Sequence, residues 1–79
     1  MVRALVVDDH PVIREGVIKA LTDEKIDVVA QAGSRAQARA QIASFNPELL
    51  IMDLHLPDGD CLDLRKLYFL SNNKILFFN

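Results

Sequence analysis

Two apolar runs that each end in aspartate constrain this chain more than any other feature. Residues 4–7 lead directly into Asp8 and Asp9, and residues 49–52 lead directly into Asp53. Short runs without polar residues predict strands that are buried on both faces, as in a parallel sheet. If the two strands are parallel neighbours, the three carboxylates meet at the carboxyl edge of the sheet, where open α/β folds bind ligands. The sequence therefore predicts a phosphate and magnesium site at that edge.

The segment after the first strand has the pattern of an amphipathic helix followed by a second strand. Pro11 suits the first helical turn, where its missing N–H leaves no partner unsatisfied. The helix is expected to end near residues 22–23 and to bury the apolar positions at three- and four-residue spacing, with Arg14, Glu15 and Lys19 outside. These apolar positions are Val12, Ile13, Gly16, Val17, Ala20 and Leu21. Residues 26–30 then form a second apolar run, which predicts a strand.

A second helix is predicted between this strand and residues 49–52. Gly33 and Ser34 indicate a turn and a helix N-cap. Residues 35–41 alternate between alanine and arginine or glutamine, a period of two that superficially suggests a strand. All three residue types are strong helix formers and poor strand formers, and Ile42, Ala43 and Phe45 extend an apolar face at helical spacing. We therefore predict a helix that Asn46 and Pro47 terminate.

The last third of the chain predicts one more helix and one more strand. Residues 55–60 have loop composition, with Asp60 as N-cap of a helix over 61–70, and Asn72 and Asn73 form a turn before an apolar strand at 74–78. The resulting order is strand-helix-strand-helix-strand-helix-strand. Alternation of this kind implies an α/β fold with a parallel sheet and right-handed crossovers.

Length, charge and cysteine content narrow the class of protein. With 79 residues the chain suffices for one small domain, and its net charge of -2 comes without a Lys/Arg cluster, so direct nucleic acid binding is not expected. No apolar run approaches the roughly 20 residues of a membrane span, and no signal peptide opens the chain. The single Cys61 has no partner for an internal disulfide. A soluble protein of the reducing cytoplasm fits these features.

The predicted carboxylate cluster has a definite chemistry. Three carboxylates placed close together repel one another unless a cation or protonation neutralises them. Mg²⁺ is a hard cation that prefers oxygen ligands and keeps several waters or phosphate oxygens in its shell. An aspartate in such a site is also able to act as a nucleophile toward a phosphoryl group.

These residues resemble a known family, the receiver domains of two-component response regulators, and in particular the subfamily with a C-terminal helix-turn-helix output domain. The similarity runs from end to end and is carried by three segments: Leu5-Val6-Val7-Asp8-Asp9-His10-Pro11 with Arg14-Glu15-Gly16, Pro47-Glu48-Leu49-Leu50-Ile51-Met52-Asp53, and Leu56-Pro57-Asp58-Gly59. The resemblance implies a flavodoxin-like (CheY-like) three-layer parallel sheet. It further implies a role in the cytoplasm as a switch component rather than an enzyme that turns over a substrate.

The resemblance assigns a role to each member of the predicted site. Asp53 is expected to accept the phosphoryl group from a sensor histidine kinase. Asp9 and Asp53 are expected to bind Mg²⁺ directly, together with the backbone carbonyl of His55, while Asp8 acts mainly through a coordinated water. The side chains of His10 and His55 are expected to be loop residues rather than ligands, because imidazole suits zinc or copper better than magnesium.

The sequence also departs from the family pattern. Asn79 falls where the family places a Thr or Ser that contacts the phosphoryl group, and the chain ends before the family's phosphate-binding lysine. Residues 1–79 are thus expected to form a single truncated receiver domain with strand order 2-1-3-4, lacking the last helix-strand-helix and the output domain. An unprotected fourth-strand edge and uncovered helix faces then predict a homodimer or oligomer.

Two alternatives to the phosphoacceptor remain open at this stage. One is a receiver-derived structural fragment that self-associates without phosphotransfer, which the missing lysine and the Asn79 terminus favour. The other is a magnesium-dependent phosphatase with an aspartate nucleophile. That class places a second catalytic aspartate two residues after the nucleophile, and His55 occupies the position here.

Overall fold

A computed structural model describes residues 1–53, 56, 66 and 73–78 of the chain. Its elements are four strands and two helices: β1 (Arg3–Val7), α1 (Pro11–Asp23), β2 (Asp27–Ala32), α2 (Arg35–Phe45), β3 (Leu49–Asp53) and β4 (Lys74–Phe78). The element types match the sequence predictions, and β2 differs by beginning one residue later and ending at Ala32. Of the predicted helix over 61–70, Lys66 is helical and the rest, with the Asp60 cap, lies outside the described residues.

The sheet confirms the predicted topology. Its strand order is β2-β1-β3-β4, and every pairing is parallel. Alternate residues of the central strands face opposite sides, so Leu5 and Val7 join one core cluster, whereas Ala4 and Val6 join the other. Helix α2 packs on the first cluster through Ala38 and Ile42, and α1 covers the second. The result is the expected three-layer arrangement, a sheet between two helices.

The buried face of α1 differs from the sequence prediction. Val17, Ile18 and Leu21 pack against the sheet, whereas Val12 and Ile13 are 82% and 50% exposed. The apolar residues of α1 are spaced so that either of two overlapping helix faces could be buried. The direction of the crossover from β1 to β2 buries the face that includes Arg14. Arg14 is therefore half-buried rather than outside, and it reaches the carboxyl edge of the sheet.

Both ends of α2 are fixed by the residues that the sequence singled out. The Ser34 hydroxyl accepts a hydrogen bond from the Gln37 N–H at 3.1 Å, and the Gln37 side chain reaches back to accept one from the Gly33 N–H at 2.7 Å. This is a variant of the capping box. At the other end Asn46 adopts a left-handed conformation with φ of 47°, which terminates the helix. As predicted from the sequence, residues 35–41 are helical despite their alternation of alanine with arginine or glutamine.

The chain shows a buried core and no membrane-crossing element among the residues described. Leu5, Leu50 and Met52 are fully buried in the central strands. None of the helices in the described ranges has the length and apolar character that a bilayer crossing requires.

The capping box makes a stability prediction. Ser34→Ala removes an acceptor for the helix N-terminus and is expected to lower the free energy of unfolding by about 1 kcal/mol. Ser44→Ala is the matched control, because Ser44 is exposed inside the same helix and there alanine raises helix propensity by a few tenths of a kcal/mol. Urea unfolding followed by circular dichroism measures both. Equal effects of the two substitutions would contradict the capping role.

Candidate functional site

The register between β1 and β3 brings the predicted carboxylates together. Val7 pairs with Met52, so the residues that follow, Asp8 and Asp53, lie side by side at the carboxyl edge of the sheet. Both are almost fully buried, with 1% and 3% of their surface exposed. Asp9 completes the cluster from the loop before α1, and its side chain is 30% exposed. All three aspartates that the sequence singled out thus lie in one pocket.

The backbone around Asp8 is held from two sides. Its N–H donates to the carbonyl of Ala32 at 3.0 Å, which continues the pairing with β2 beyond Val7. Its carbonyl accepts a hydrogen bond from the Arg14 guanidinium at 2.8 Å. The carboxylate accepts one from the His10 N–H at 2.8 Å and thereby shapes the turn into α1. These contacts fix the direction of the Asp8 side chain before any ligand binds.

Arg14 links three elements at this edge and was not predicted from the sequence to do so. One guanidinium nitrogen donates to Asp8 and another donates to the Gln31 side chain of β2 at 2.9 Å. Gly33 allows this close approach, since a Cβ there would lie 3.3 Å from the Arg14 Nη1 atom. Arg14 lies one turn after Pro11 and on the same helix face as Val17. This spacing is the sequence signal that could have revealed its contacts.

One carboxylate oxygen of Asp9 accepts no hydrogen bond from the described residues. This atom, Oδ1, is buried. The Nδ1 atom of His10 lies 2.9 Å away, in ion-pair range but without hydrogen-bond geometry. A buried carboxylate oxygen in this condition is costly without a cation, so the donor set fits a metal ion.

The metal-ligating atoms form a compact group. Asp8, Asp9, His10 and Asp53 each offer one ligand atom, and these atoms lie within 4.8 Å of one another. From the sequence, the His10 side chain is expected to be a loop residue outside the ligand set, whereas its ring nitrogen lies within this group. His55, whose backbone carbonyl was predicted as a ligand, and Asn79 both lie outside the described residues.

A separate groove lies at the opposite end of the sheet. It is lined by residues at the amino ends of β1, β3 and β4, among them Val2, Leu49 and Lys74. Because the aspartates lie at the carboxyl ends of the same strands, this groove is not part of the acidic pocket.

Comparison with known proteins identifies the family. The model of the response regulator receiver domain matches residues 4–72, which include both aspartate-terminated strands. The chain belongs to the response regulator receiver domain family. Receiver domains are signalling modules, and they bind Mg²⁺ at an acidic pocket, which agrees with the carboxylate cluster of this receiver.

Two relatives with different named activities align with this receiver. It is 42% identical over 65 residues to the DNA-binding transcriptional activator DevR/DosR of Mycobacterium tuberculosis, covering 81% of this chain and 30% of that protein. It is 40% identical over 65 residues to a protein-glutamate methylesterase/protein-glutamine glutaminase of Agrobacterium fabrum, covering 80% of this chain and 18% of that protein. The chain thus spans less than a third of the length of either relative.

Solved structures agree with the fold. The signal receiver domain of NarL from Mycobacterium tuberculosis superposes with a TM-score of 0.82 at 30% identity, over 96% of this chain and 64% of that one. A LuxR-family two-component response regulator from Aurantimonas sp. SI85-9A1 superposes with a TM-score of 0.83 at 29% identity, over 96% of this chain and 56% of that one. Both similarities cover nearly the whole of this chain.

The unsatisfied acceptor oxygen of Asp9 predicts how removal of the Asp9 charge changes the stability of the metal-free receiver. Asp9→Asn relieves repulsion in the pocket and replaces a buried unpaired oxygen, so we expect the free energy of unfolding in chelator-treated buffer to rise by about 1 kcal/mol. Chemical denaturation measures the change. Asp23→Asn is the control, because Asp23 lies on the exposed surface of α1 and makes a 3.9 Å ion pair with Lys19. A loss of stability in Asp9→Asn would show that the carboxylate is favourable without metal.

Proposed function

We propose that this receiver accepts a phosphoryl group on Asp53 from a sensor histidine kinase, with Mg²⁺ as cofactor. The observation that carries the proposal is the convergence of Asp8, Asp9 and Asp53 at the carboxyl ends of β1 and β3. In an open α/β sheet this is the edge at which ligands bind. Membership of the receiver family supplies the reaction class, and the pocket supplies the groups that the reaction needs.

The residues that would hold Mg²⁺ follow from the donor set. Asp9 and Asp53 are proposed as direct ligands, Asp8 as a ligand through water, and the carbonyl of His55 as a further oxygen donor. When bound, the ion supplies positive charge that offsets the carboxylates and the phosphoryl oxygens. The buried Oδ1 atom of Asp9 supports this assignment, because it accepts no hydrogen bond from the described residues.

The transfer itself is a displacement at phosphorus. A carboxylate oxygen of Asp53 forms the new O–P bond while the N–P bond of the donor phosphohistidine breaks, and the departing imidazole keeps the electron pair and takes up a proton. Burial of Asp53 limits access of bulk water to the acyl phosphate. Asn79, at the family Thr/Ser position, is proposed to donate a hydrogen bond from its amide to the phosphoryl group.

Arg14 has a positioning role in this proposal. It holds the Asp8 carbonyl through Nη1 and is tied to β2 through Gln31, so the loop that carries the acidic pair keeps its direction when charge in the pocket changes. We assign the receiver to the cytoplasm, where the kinase would be encountered. It is proposed as a switch that undergoes modification rather than as an enzyme that turns over a substrate.

The phosphoacceptor assignment predicts a covalent change at one residue. Incubation with Mg²⁺ and a small acyl phosphate is expected to add one phosphoryl group to the wild-type chain and none to Asp53→Asn, as measured by intact mass. Asp27→Asn is the matched control, because Asp27 is exposed at the amino end of β2, far from the pocket, and that variant should be modified like the wild type. Omission of Mg²⁺ with added chelator should also abolish the gain.

Two results would overturn this assignment. Absence of the mass gain in wild-type protein whose circular dichroism shows the folded sheet would leave a receiver fold without phosphotransfer. A gain that persists in Asp53→Asn would place the modification on another residue.

We also propose that the chain self-associates through the edge of β4 or through the exposed face of α1. In the described sheet β4 has a neighbour on one side only, and Leu76 on it is 55% exposed. An edge strand with exposed apolar residues pairs readily with another chain.

Substitution of an exposed apolar residue by lysine distinguishes the two routes of self-association. Leu76→Lys is expected to shift sedimentation equilibrium toward monomer if the β4 edge forms the contact. Val12→Lys introduces the same charge on α1, at a side chain that is 82% exposed, and weakens association only if the helix face is used. A wild-type chain that is monomeric at all concentrations would refute both routes.

A further inference from the structure

The imidazole of His10 contacts the carboxylates of the acidic pocket through one ring nitrogen. Its Nδ1 atom lies 3.2 Å from a carboxylate oxygen of Asp8 and 2.9 Å from one of Asp9. The ring is otherwise 62% exposed, so it faces the solvent side of the pocket while this nitrogen points toward the carboxylates. A nitrogen between two carboxylate oxygens is favourable when a proton or a cation lies among them.

The spacing of the four candidate ligands is close to that of a metal shell. In a tetrahedral zinc site with bonds of about 2.0 Å, the ligand atoms are about 3.3 Å apart. The ligand atoms of Asp8, Asp9, His10 and Asp53 lie within 4.8 Å of one another, so side-chain movements on the order of 1 Å close the shell. The unpaired Oδ1 atom of Asp9 is one of the oxygens that such an ion would use.

We propose that His10 is a side-chain metal ligand and that it adapts this pocket to a divalent transition ion such as Zn²⁺ as well as to Mg²⁺. The inference rests on the proposed role of Asp8, Asp9 and Asp53 as metal ligands. Imidazole nitrogen binds zinc and other first-row ions well, whereas magnesium favours oxygen. A pocket with carboxylates and one imidazole therefore binds Zn²⁺ more tightly than carboxylates alone would, and gains little for Mg²⁺.

A purely structural role for His10 makes a different prediction. In that role the imidazole only hydrogen-bonds Asp8 through Nδ1, at 3.2 Å, beside the backbone N–H of His10, which donates to the same carboxylate and does not require the ring. His10→Gln keeps the backbone contact and a polar side chain but removes the ring nitrogen. If the ring served only to shape the turn, its loss would change the affinities for both metals to the same extent.

The test is a pair of calorimetric titrations on tag-free protein, one with ZnCl₂ and one with MgCl₂. In His10→Gln the dissociation constant for Zn²⁺ should rise on the order of tenfold or more, as expected when a ligand is lost, while that for Mg²⁺ changes less than about twofold. Glu15→Gln is the control, because it removes an exposed carboxylate of α1 outside the pocket and should leave both constants unchanged. In the wild type, Zn²⁺ should shift the ¹⁵N resonance of His10 Nδ1.

Several outcomes would overturn the inference. These are no Zn²⁺ binding by the wild type, equal changes for both metals in His10→Gln, or an unshifted Nδ1 resonance at saturating Zn²⁺. The phosphoacceptor proposal is judged separately by the mass gain on Asp53. Phosphorylation with Mg²⁺ and His10-independent Zn²⁺ binding would refute this inference alone, whereas His10-dependent Zn²⁺ binding without phosphorylation would refute the phosphoacceptor alone.

Discussion

The parallel, in-register pairing of β1 with β3 is the constraint on which the rest of this receiver depends. It aligns Val7 with Met52, so that the chain leaves both strands at the same height and the acidic residues that follow become neighbours. A shift of one residue would move Leu5 and Val7 to the face of Ala4 and Val6, and would exchange large and small side chains between the two core clusters. Packing on both faces thus favours this register, and the register assembles the pocket.

At this edge of the sheet, the arrangement that suits metal binding lowers the stability of the protein. Two nearly buried carboxylates and a third with an unpaired oxygen raise the energy of the metal-free protein. Contacts around Asp8 offset part of that cost, because the His10 N–H donates to its carboxylate while the Ala32 carbonyl and the Arg14 guanidinium hold its backbone. A site prepared in this way needs little reorganisation when a cation and a phosphoryl group arrive.

Prediction from the sequence succeeded for elements whose local pattern agrees with the global fold. It failed where more than one face of a helix could be buried. The strands, both helices and the strand order followed from apolar runs, Pro11, Ser34 and the Asn46-Pro47 break. The buried stripe of α1 was predicted only in part: Val17 and Leu21 pack against the sheet as expected, whereas Val12 and Ile13 are exposed. The contacts of Arg14 and the inward position of the His10 nitrogen were missed, since both depend on how α1 lies on the sheet.

By itself, the sequence determined that this protein forms a parallel α/β sheet with three aspartates at one edge, because apolar runs of strand length are stable only when helices cover both faces. It also determined the family, since the aspartates occur in the family's order and spacing. Only the tertiary structure decided that His10 joins the carboxylates and that one oxygen of Asp9 is left without a donor among the described residues. Hydrogen-bond directions and distances between loops arise from packing of α1 on the sheet, and no spacing along the chain encodes them.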